Sequence, residues 1–319
     1  MTEIKHRSVP VNGITLNIAE AGEGPLVVLL HGFPESSYSY RHQLTALAEA
    51  GYHAVAPDQR GYPRSEHPAS VDDYSILHLV GDVVGLIGAL GAPDAVVVGH
   101  DWGSPVAWNT ALFRPDLVRG VVSLSVPFQP RGDIAPLDGV RAAFGEKFYQ
   151  IYFQEPGVAE KELEGDTAAM FTKMFYWYSG DSPQVQNLIT DENGMTGSLA
   201  LPEELPSWFT AEDIAAYTAE FGEEGFTGAL NWYRNIDRNW ELTTAWAGAR
   251  ITVPAMFLGG AKDPVVNWFD PATLELAMSP AVENLASFGL VEGAGHWIQQ
   301  ERPDETNAAL IAFARSVDR

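Results

Sequence analysis

Residues 95–113 read AVVVGHDWGSPVAWNTALF, and no other stretch constrains the fold as tightly. The Val96-Val97-Val98 run lacks polar alternation, the pattern of a strand buried on both faces. Gly99 and Gly103 then bracket a tight turn, and a run of helical period follows. A small–x–acid–x–small turn between strand and helix forces its central residue into a strained backbone and projects the side chain outward, beside the free N–H groups of the helix start. That residue is Asp101. A carboxylate with a reference pKa of about 3.9 is ionised at neutral pH, so it can attack an sp3 carbon without first losing a proton to a base. Aspartate at a helix start also serves as a plain N-cap; the paired glycines and the preceding valines favour a nucleophile.

Such a strand needs neighbours, and the chain supplies them. Residues 6–20 alternate as two strands about an Asn12-Gly13 turn. Residues 25–30 are continuously apolar and run into His31-Gly32-Phe33-Pro34. A helical stretch near 37–50, a strand at 53–57, a loop at 58–70 and a helix near 74–90 precede Asp101, and a strand at 120–125 follows it. Alternating buried strands and helices predict an α/β protein built on a mostly parallel, doubly wound sheet. Residues 130–242 break the pattern: aromatic and acidic, they read as helices near 141–152, 158–178, 211–222 and 226–236, with a loop at 179–210. Strands return at 251–259 and 285–291, and a helix closes the chain at 304–316. Residues 1–129 and 243–319 are therefore expected to form the core. The 130–242 insertion is expected to be a helical lid at the carboxyl ends of the strands, where ligands bind in open α/β sheets.

Charge and composition narrow the partners. With 19 Lys+Arg against 42 Asp+Glu, the formal net charge of −23 repels phosphate backbones and anionic membrane surfaces, so nucleic acid is not an expected partner. The chain has no cysteine, which removes disulfides and thiolate chemistry. The first residues, MTEIKHRSVPVNG, lack the apolar core of a signal peptide, and no window has the roughly 18 apolar residues of a spanning helix. A cytoplasmic location without membrane insertion is the expectation. Aromatic residues of the insertion, if exposed, favour a homodimer.

Two more residues complete a constellation with Asp101. The 251–259 strand leads into Lys262-Asp263-Pro264, and the 285–291 strand leads into Gly295-His296-Trp297. Nucleophile, acid and histidine thus follow in that order, each just past a buried strand. Asp263 would orient His296 and stabilise its imidazolium, and His296 would activate water. Taken singly, an Asp before Pro is a turn residue and a loop His is a structural one. The His31-Gly32-Phe33-Pro34 loop would add the Phe33 N–H to that of Trp102 as an oxyanion hole.

The segments GHDWGSPVAW, HGFPES, YQIYFQEPGVAE, LNWYRN, KDPV and GHWIQQERP together resemble the soluble epoxide hydrolases of the α/β-hydrolase superfamily, over nearly the whole chain. The resemblance implies an α/β-hydrolase fold, a small apolar epoxide and water as substrates, a vicinal diol as product, and neither metal nor organic cofactor. It also implies that two lid tyrosines hold the epoxide oxygen, matching Tyr149 and Tyr233, with Tyr152 one helical turn from the first. Opening the ring leaves an alkoxide, and a phenol of pKa about 10 can donate a proton to it. Phe33, Trp102, Gln150, Trp232 and Trp297 are expected to line the substrate site. The chain departs from the family pattern at Ser104, followed by Pro105, and at Pro63, where glycines are usual.

Two other readings share these residues. A haloalkane dehalogenase has the same fold, the Asp nucleophile and the following Trp, but needs N–H donors for a halide. The position after His31-Gly32 is Phe33 rather than Asn, and a tyrosine pair is superfluous for such a leaving group. The second alternative is an inactive hydrolase fold serving as a binding module.

Overall fold

The computed structural model describes residues 2–318. Its strands are β1 (Lys5–Val11), β2 (Ile14–Ala21), β3 (Leu26–Leu30), β4 (His53–Pro57), β5 (Ala95–His100), β6 (Val118–Leu124), β7 (Ala255–Gly260) and β8 (Leu285–Val291). They form one sheet in the order β1-β2-β4-β3-β5-β6-β7-β8. β1 and β2 are an antiparallel hairpin in which Val11 faces Ile14, and Asn12 and Gly13 take φ values of 41° and 80° in its two-residue turn. β2 also runs antiparallel to β4, while every pair from β4 to β8 is parallel.

The valines of β5 show why the sheet is covered on both sides. Successive side chains of a strand point to opposite faces. Val97 joins Val28 and Leu30 against helices Ile76–Ala89 and Gly103–Phe113 through Leu79, Val83, Val106 and Ala107. Val96 and Val98 join Val27 and Leu29 against helices Arg41–Glu49 and Pro303–Ser316 through Leu44, Leu47, Leu310 and Phe313. Each such side chain contributes about 1.5–3 kcal/mol by leaving water. This is the doubly wound arrangement read from the buried runs, with β5 at its centre.

Some boundaries differ from the sequence reading. β7 begins at Ala255 rather than at 251, because Pro254 has no N–H to give a ladder; Ile251 makes only an isolated bridge to Val282. The segment expected as a helix over 141–152 is broken: helix Pro136–Phe144 ends at Gly145, whose φ is +83°, and a short helix, Tyr149–Tyr152, follows. The 158–178 stretch is broken as well, with Asp166 capping helix Thr167–Trp177 by accepting from the Ala169 N–H at 3.0 Å. Helices Ala211–Glu224 and Thr227–Arg234 lie where expected.

These helices, all between β6 and β7, are bound to the segments that follow the strands. Asp213 pairs with Arg41 at 3.0 Å and Glu220 with Arg64 at 2.7 Å. The Trp232 indole N–H donates to the Arg60 carbonyl at 3.0 Å. Close to the β8 end, the Tyr178 carbonyl accepts the His296 N–H at 2.8 Å, and Lys262 Nζ donates to the Gly180 carbonyl at 2.6 Å. Among the described residues, no helix is long and apolar enough to cross a membrane.

Candidate active site

Asp101 sits on a strained turn. Its φ is +46°, in the left-handed region that a non-glycine residue enters only when its surroundings demand it. They do so here because β5 and the helix after it meet almost backbone to backbone. A Cβ at Gly99 would run into the Gly103 carbonyl, and one at Gly103 into the Leu30 carbonyl. The loop after β3 closes in from the other side, where the Phe33 N–H donates to Asp101 Oδ1 at 2.8 Å. Trp102 stands at the N-cap of helix Gly103–Phe113, so its N–H precedes the helical ladder and has no intrahelical carbonyl to meet.

β7 and β8 deliver the other two groups. His296 Nδ1 lies 3.1 Å from Asp263 Oδ1, and His296 Nε2 lies 3.5 Å from Asp101 Oδ2. Asp263 is fully buried, and its Oδ1 also accepts from the Val265 N–H at 2.8 Å. Burial alone would lower the imidazole pKa, but Asp263 and Asp101 on either side outweigh it and push His296 well above its ordinary value. Burial likewise works against the Asp101 charge, and the hydrogen bond and charge of His296 overcome it, holding that carboxyl below the usual range. Both shifts favour an ion pair between the two.

Three supporting groups have no role in the sequence reading. Ser125, buried at the end of β6 with φ +83°, places its Oγ 3.1 Å from His296 Nδ1. Because Asp263 is an acceptor there, Nδ1 carries the proton and Ser125 Oγ is its second acceptor. Glu35, from the HGFPES segment, collects the Gly32 N–H at 3.1 Å and the side chains of His100 at 2.7 Å, Gln299 at 2.8 Å and Gln300 at 3.0 Å. His100 Nε2 in turn lies 2.7 Å from the His296 carbonyl, so one buried carboxylate ties together the loops carrying Phe33, Asp101 and His296. Glu301 accepts from the N–H groups of Gly180, Gly295 and Trp297 at 2.8, 2.8 and 2.9 Å, fixing the turn about His296. Burial, opposed by those three donors, pushes its carboxyl up to about 7. The available signal for both glutamates was their place inside HGFPES and GHWIQQERP, segments that carry the resemblance.

Two tyrosines of the insertion face the carboxylate. Tyr149 and Tyr233 meet edge to face with ring centroids 5.8 Å apart, and Tyr233 packs against Phe33 at 5.4 Å and Trp102 at 5.1 Å. Burial first, and then the Asp101 charge, raises both phenols well above their ordinary value, which keeps them protonated. Gln150 Nε2 donates to the Tyr149 hydroxyl at 3.2 Å. Tyr152 turns the other way and donates to Glu162 at 2.9 Å.

Asp101 and Tyr149 border two cavities, of about 510 and 30 Å³. Trp102 and Gln150 line the larger; Phe33, Tyr233, His296 and Trp297 line the smaller. Trp232, expected beside the substrate, lines neither. It is fully buried behind Trp102, 5.9 Å away between ring centroids, with its N–H committed to Arg60, so that expectation is corrected. Ser104 also turns away from the cavities, donating to the Gly99 and Leu124 carbonyls at 2.9 and 3.0 Å. Its neighbour Pro105 lines the larger cavity, whereas Pro63 borders neither.

A doubly wound sheet with a carboxylate on the strand–helix turn, answered by an acid and a histidine from beyond the last two strands, is the arrangement of a hydrolase-type site. The alpha/beta hydrolase fold family model matches residues 25–303. Epoxide hydrolase A of Mycobacterium tuberculosis is 46% identical over 319 residues, covering 98% of each chain, and Epoxide hydrolase 1 of Siraitia grosvenorii is 44% identical over 99% of each. The crystal structure of Epoxide Hydrolase A from Mycobacterium thermoresistibile superposes with a TM-score of 0.92 at 49% identity, over 98% of both chains. An epoxide hydrolase from an endophytic Streptomyces gives 0.94 at 44% identity, over 98% of this chain and 96% of that one. The chain belongs to the epoxide hydrolases of the α/β-hydrolase fold.

Proposed function

We propose that the protein hydrolyses an epoxide to a vicinal diol in two covalent steps, with the inserted helices acting as the lid. Asp101 Oδ2, the oxygen not held by Phe33, attacks a ring carbon. The carbon–oxygen bond of the ring breaks, and the alkoxide takes a proton from the Tyr149–Tyr233 pair, leaving a hydroxyalkyl ester on Asp101; with the Asp101 charge gone, the imidazolium gives up its proton, which restores the phenol and leaves His296 neutral. His296 Nε2 then takes a proton from water as the hydroxide adds to Asp101 Cγ. Charge collects on Oδ1, already 2.8 Å from the Phe33 N–H, with the Trp102 N–H as its partner donor. Collapse expels the diol oxygen, which is protonated by the imidazolium, and the proton left on the Asp101 carboxyl passes to His296, so that Asp101 returns as a carboxylate beside an imidazolium.

The observation that carries this reading is the unequal treatment of the two Asp101 oxygens: Oδ1 is held by the Phe33 amide, and Oδ2 faces His296 at 3.5 Å. Electrostatics order the steps. The Asp101 charge is among the causes that raise the His296 pKa, and esterification removes it, so that pKa falls and the imidazole is freed of its proton once there is an ester to hydrolyse. The test is diol formation from styrene oxide by the wild-type protein, alongside bromide release from 1,2-dibromoethane. Diol without bromide supports the reading, and bromide without diol refutes it in favour of a dehalogenase.

A further inference from the structure

The two cavities that meet at Asp101 differ in volume by more than an order of magnitude, about 510 against 30 Å³. The larger lies within the range of ordinary small-molecule sites, about 300–1,000 Å³. Its walls are mostly apolar, with Phe128, Phe148 and Trp268 beside the uncharged polar Asn109, Gln129 and Gln150. Among the described residues Asp101 is the one charged side chain along them, and no Lys, Arg or His lines this cavity.

The smaller cavity holds about two waters, at about 10–15 Å³ each. It is the one bordered by His296 and Tyr233, so it is where a water can reach the base. Its walls cannot readily give way. Tyr233 is packed edge to face on Phe33 and on Phe153, at 4.9 Å from the latter, and Trp297 stacks on Phe175 at 4.3 Å. Met174, Leu188 and Met195 line it as well; the Leu188 carbonyl is anchored by the Tyr149 N–H at 3.1 Å, and the Met195 N–H by Glu162 at 2.9 Å.

An epoxide whose carbon is in reach of Asp101 sits where the cavities join, so its substituents must divide between them. We propose that the protein takes neutral epoxides carrying their bulk on one ring carbon, with a hydrogen or at most a methyl group on the other, and that the small cavity is reserved for the hydrolytic water. This rests on the epoxide reading above and names the substrate class for it. An anionic substituent finds no cation in the large cavity, and burying an unpaired charge there is costly.

The experiment compares kcat/KM of the wild-type protein for styrene oxide, trans-β-methylstyrene oxide, 4-carboxystyrene oxide and trans-stilbene oxide. The first two should lie within about tenfold of each other, the carboxylate at least about tenfold below styrene oxide, and stilbene oxide at least about a hundredfold below it. Met195→Ala and, separately, Leu188→Ala should raise the stilbene-to-styrene ratio by about tenfold or more. Stilbene oxide turned over as well as styrene oxide would overturn the proposal while leaving epoxide hydrolysis intact, as would a ratio that neither substitution raises. Equal turnover of the carboxylate would overturn the restriction to neutral substituents. No diol from any of the four would overturn the epoxide reading, and this proposal with it.

Discussion

His296 Nε2 stands 3.5 Å from Asp101 Oδ2, while its Nδ1 is 3.1 Å from Asp263 Oδ1. One imidazole thus faces the nucleophile with one nitrogen and a fully buried carboxylate with the other. Attack by Asp101 does not need the imidazole as a base, but hydrolysis of the ester does. His296→Gln should therefore still consume one equivalent of epoxide and then stall. Mass analysis of the quenched protein should find the substrate mass on the peptide containing Asp101, with steady-state turnover reduced about a hundredfold or more.

The ion pair also makes a prediction about protonation. Asp263 and Asp101 both raise the His296 pKa, and both effects favour the imidazolium. Removing the Asp101 charge must therefore move the titration to lower pH. In Asp101→Asn, which carries the neutral charge state of the ester, the His296 ring signals in an NMR titration should change at a lower pH than in the wild type. For the same reason kcat should fall as pH drops through the His296 value of the ester state, since the protonated ring cannot accept a proton from water. An unchanged NMR titration would mean that Asp101 does not govern this base.

Tyr149 and Tyr233 should act before the histidine does. Each single Tyr→Phe variant should slow ester formation, and the double variant should bind epoxide yet open it at least about a hundredfold more slowly in single turnover. Because burial raises both phenols above their ordinary value, ring opening should show no loss from phenol ionisation up to about pH 10. Full wild-type ester formation in Tyr233→Phe would remove that phenol from the mechanism.

Much of this was legible because the physics involved is local. The Val96-Val97-Val98 run, the glycines on either side of Asp101 and the Asn12-Gly13 turn each answer to a backbone or burial requirement within a few residues. Asp263 could be found because it follows the buried strand β7, and His296 because it follows the next strand in the expected order. β8 itself is the edge strand and none of its residues is buried, so there the sequence reading of a buried strand is corrected. What escaped depends on long-range packing. Trp232 has no local feature that says whether it faces substrate or Arg60; that is decided by how helix Thr227–Arg234 seats against the 58–70 loop. Glu35 meets His100 and Gln299 across separations of 65 and 264 residues, which no pattern in the chain encodes. Gly145 was the readable exception, since a glycine inside a helical run signals a break.

Ser125 supplies a more demanding test, because it acts through His296 rather than on substrate. Its Oγ shares the Nδ1 proton with Asp263 and so favours the imidazolium. Ser125→Ala should leave ester formation nearly unaffected, slow hydrolysis by about two- to tenfold, and shift the acid limb of the kcat profile to lower pH. A merely structural role would lower both steps together and leave the pH profile in place.

The two-step ester mechanism is tested most directly by a single turnover of styrene oxide with excess protein in oxygen-18 water. Mass analysis should find the heavy oxygen in the peptide containing Asp101, while the first diol carries an unlabelled oxygen taken from that carboxylate. A first diol carrying the label, with Asp101 unlabelled, would mean that water attacks the epoxide directly and would contradict the role assigned to Asp101.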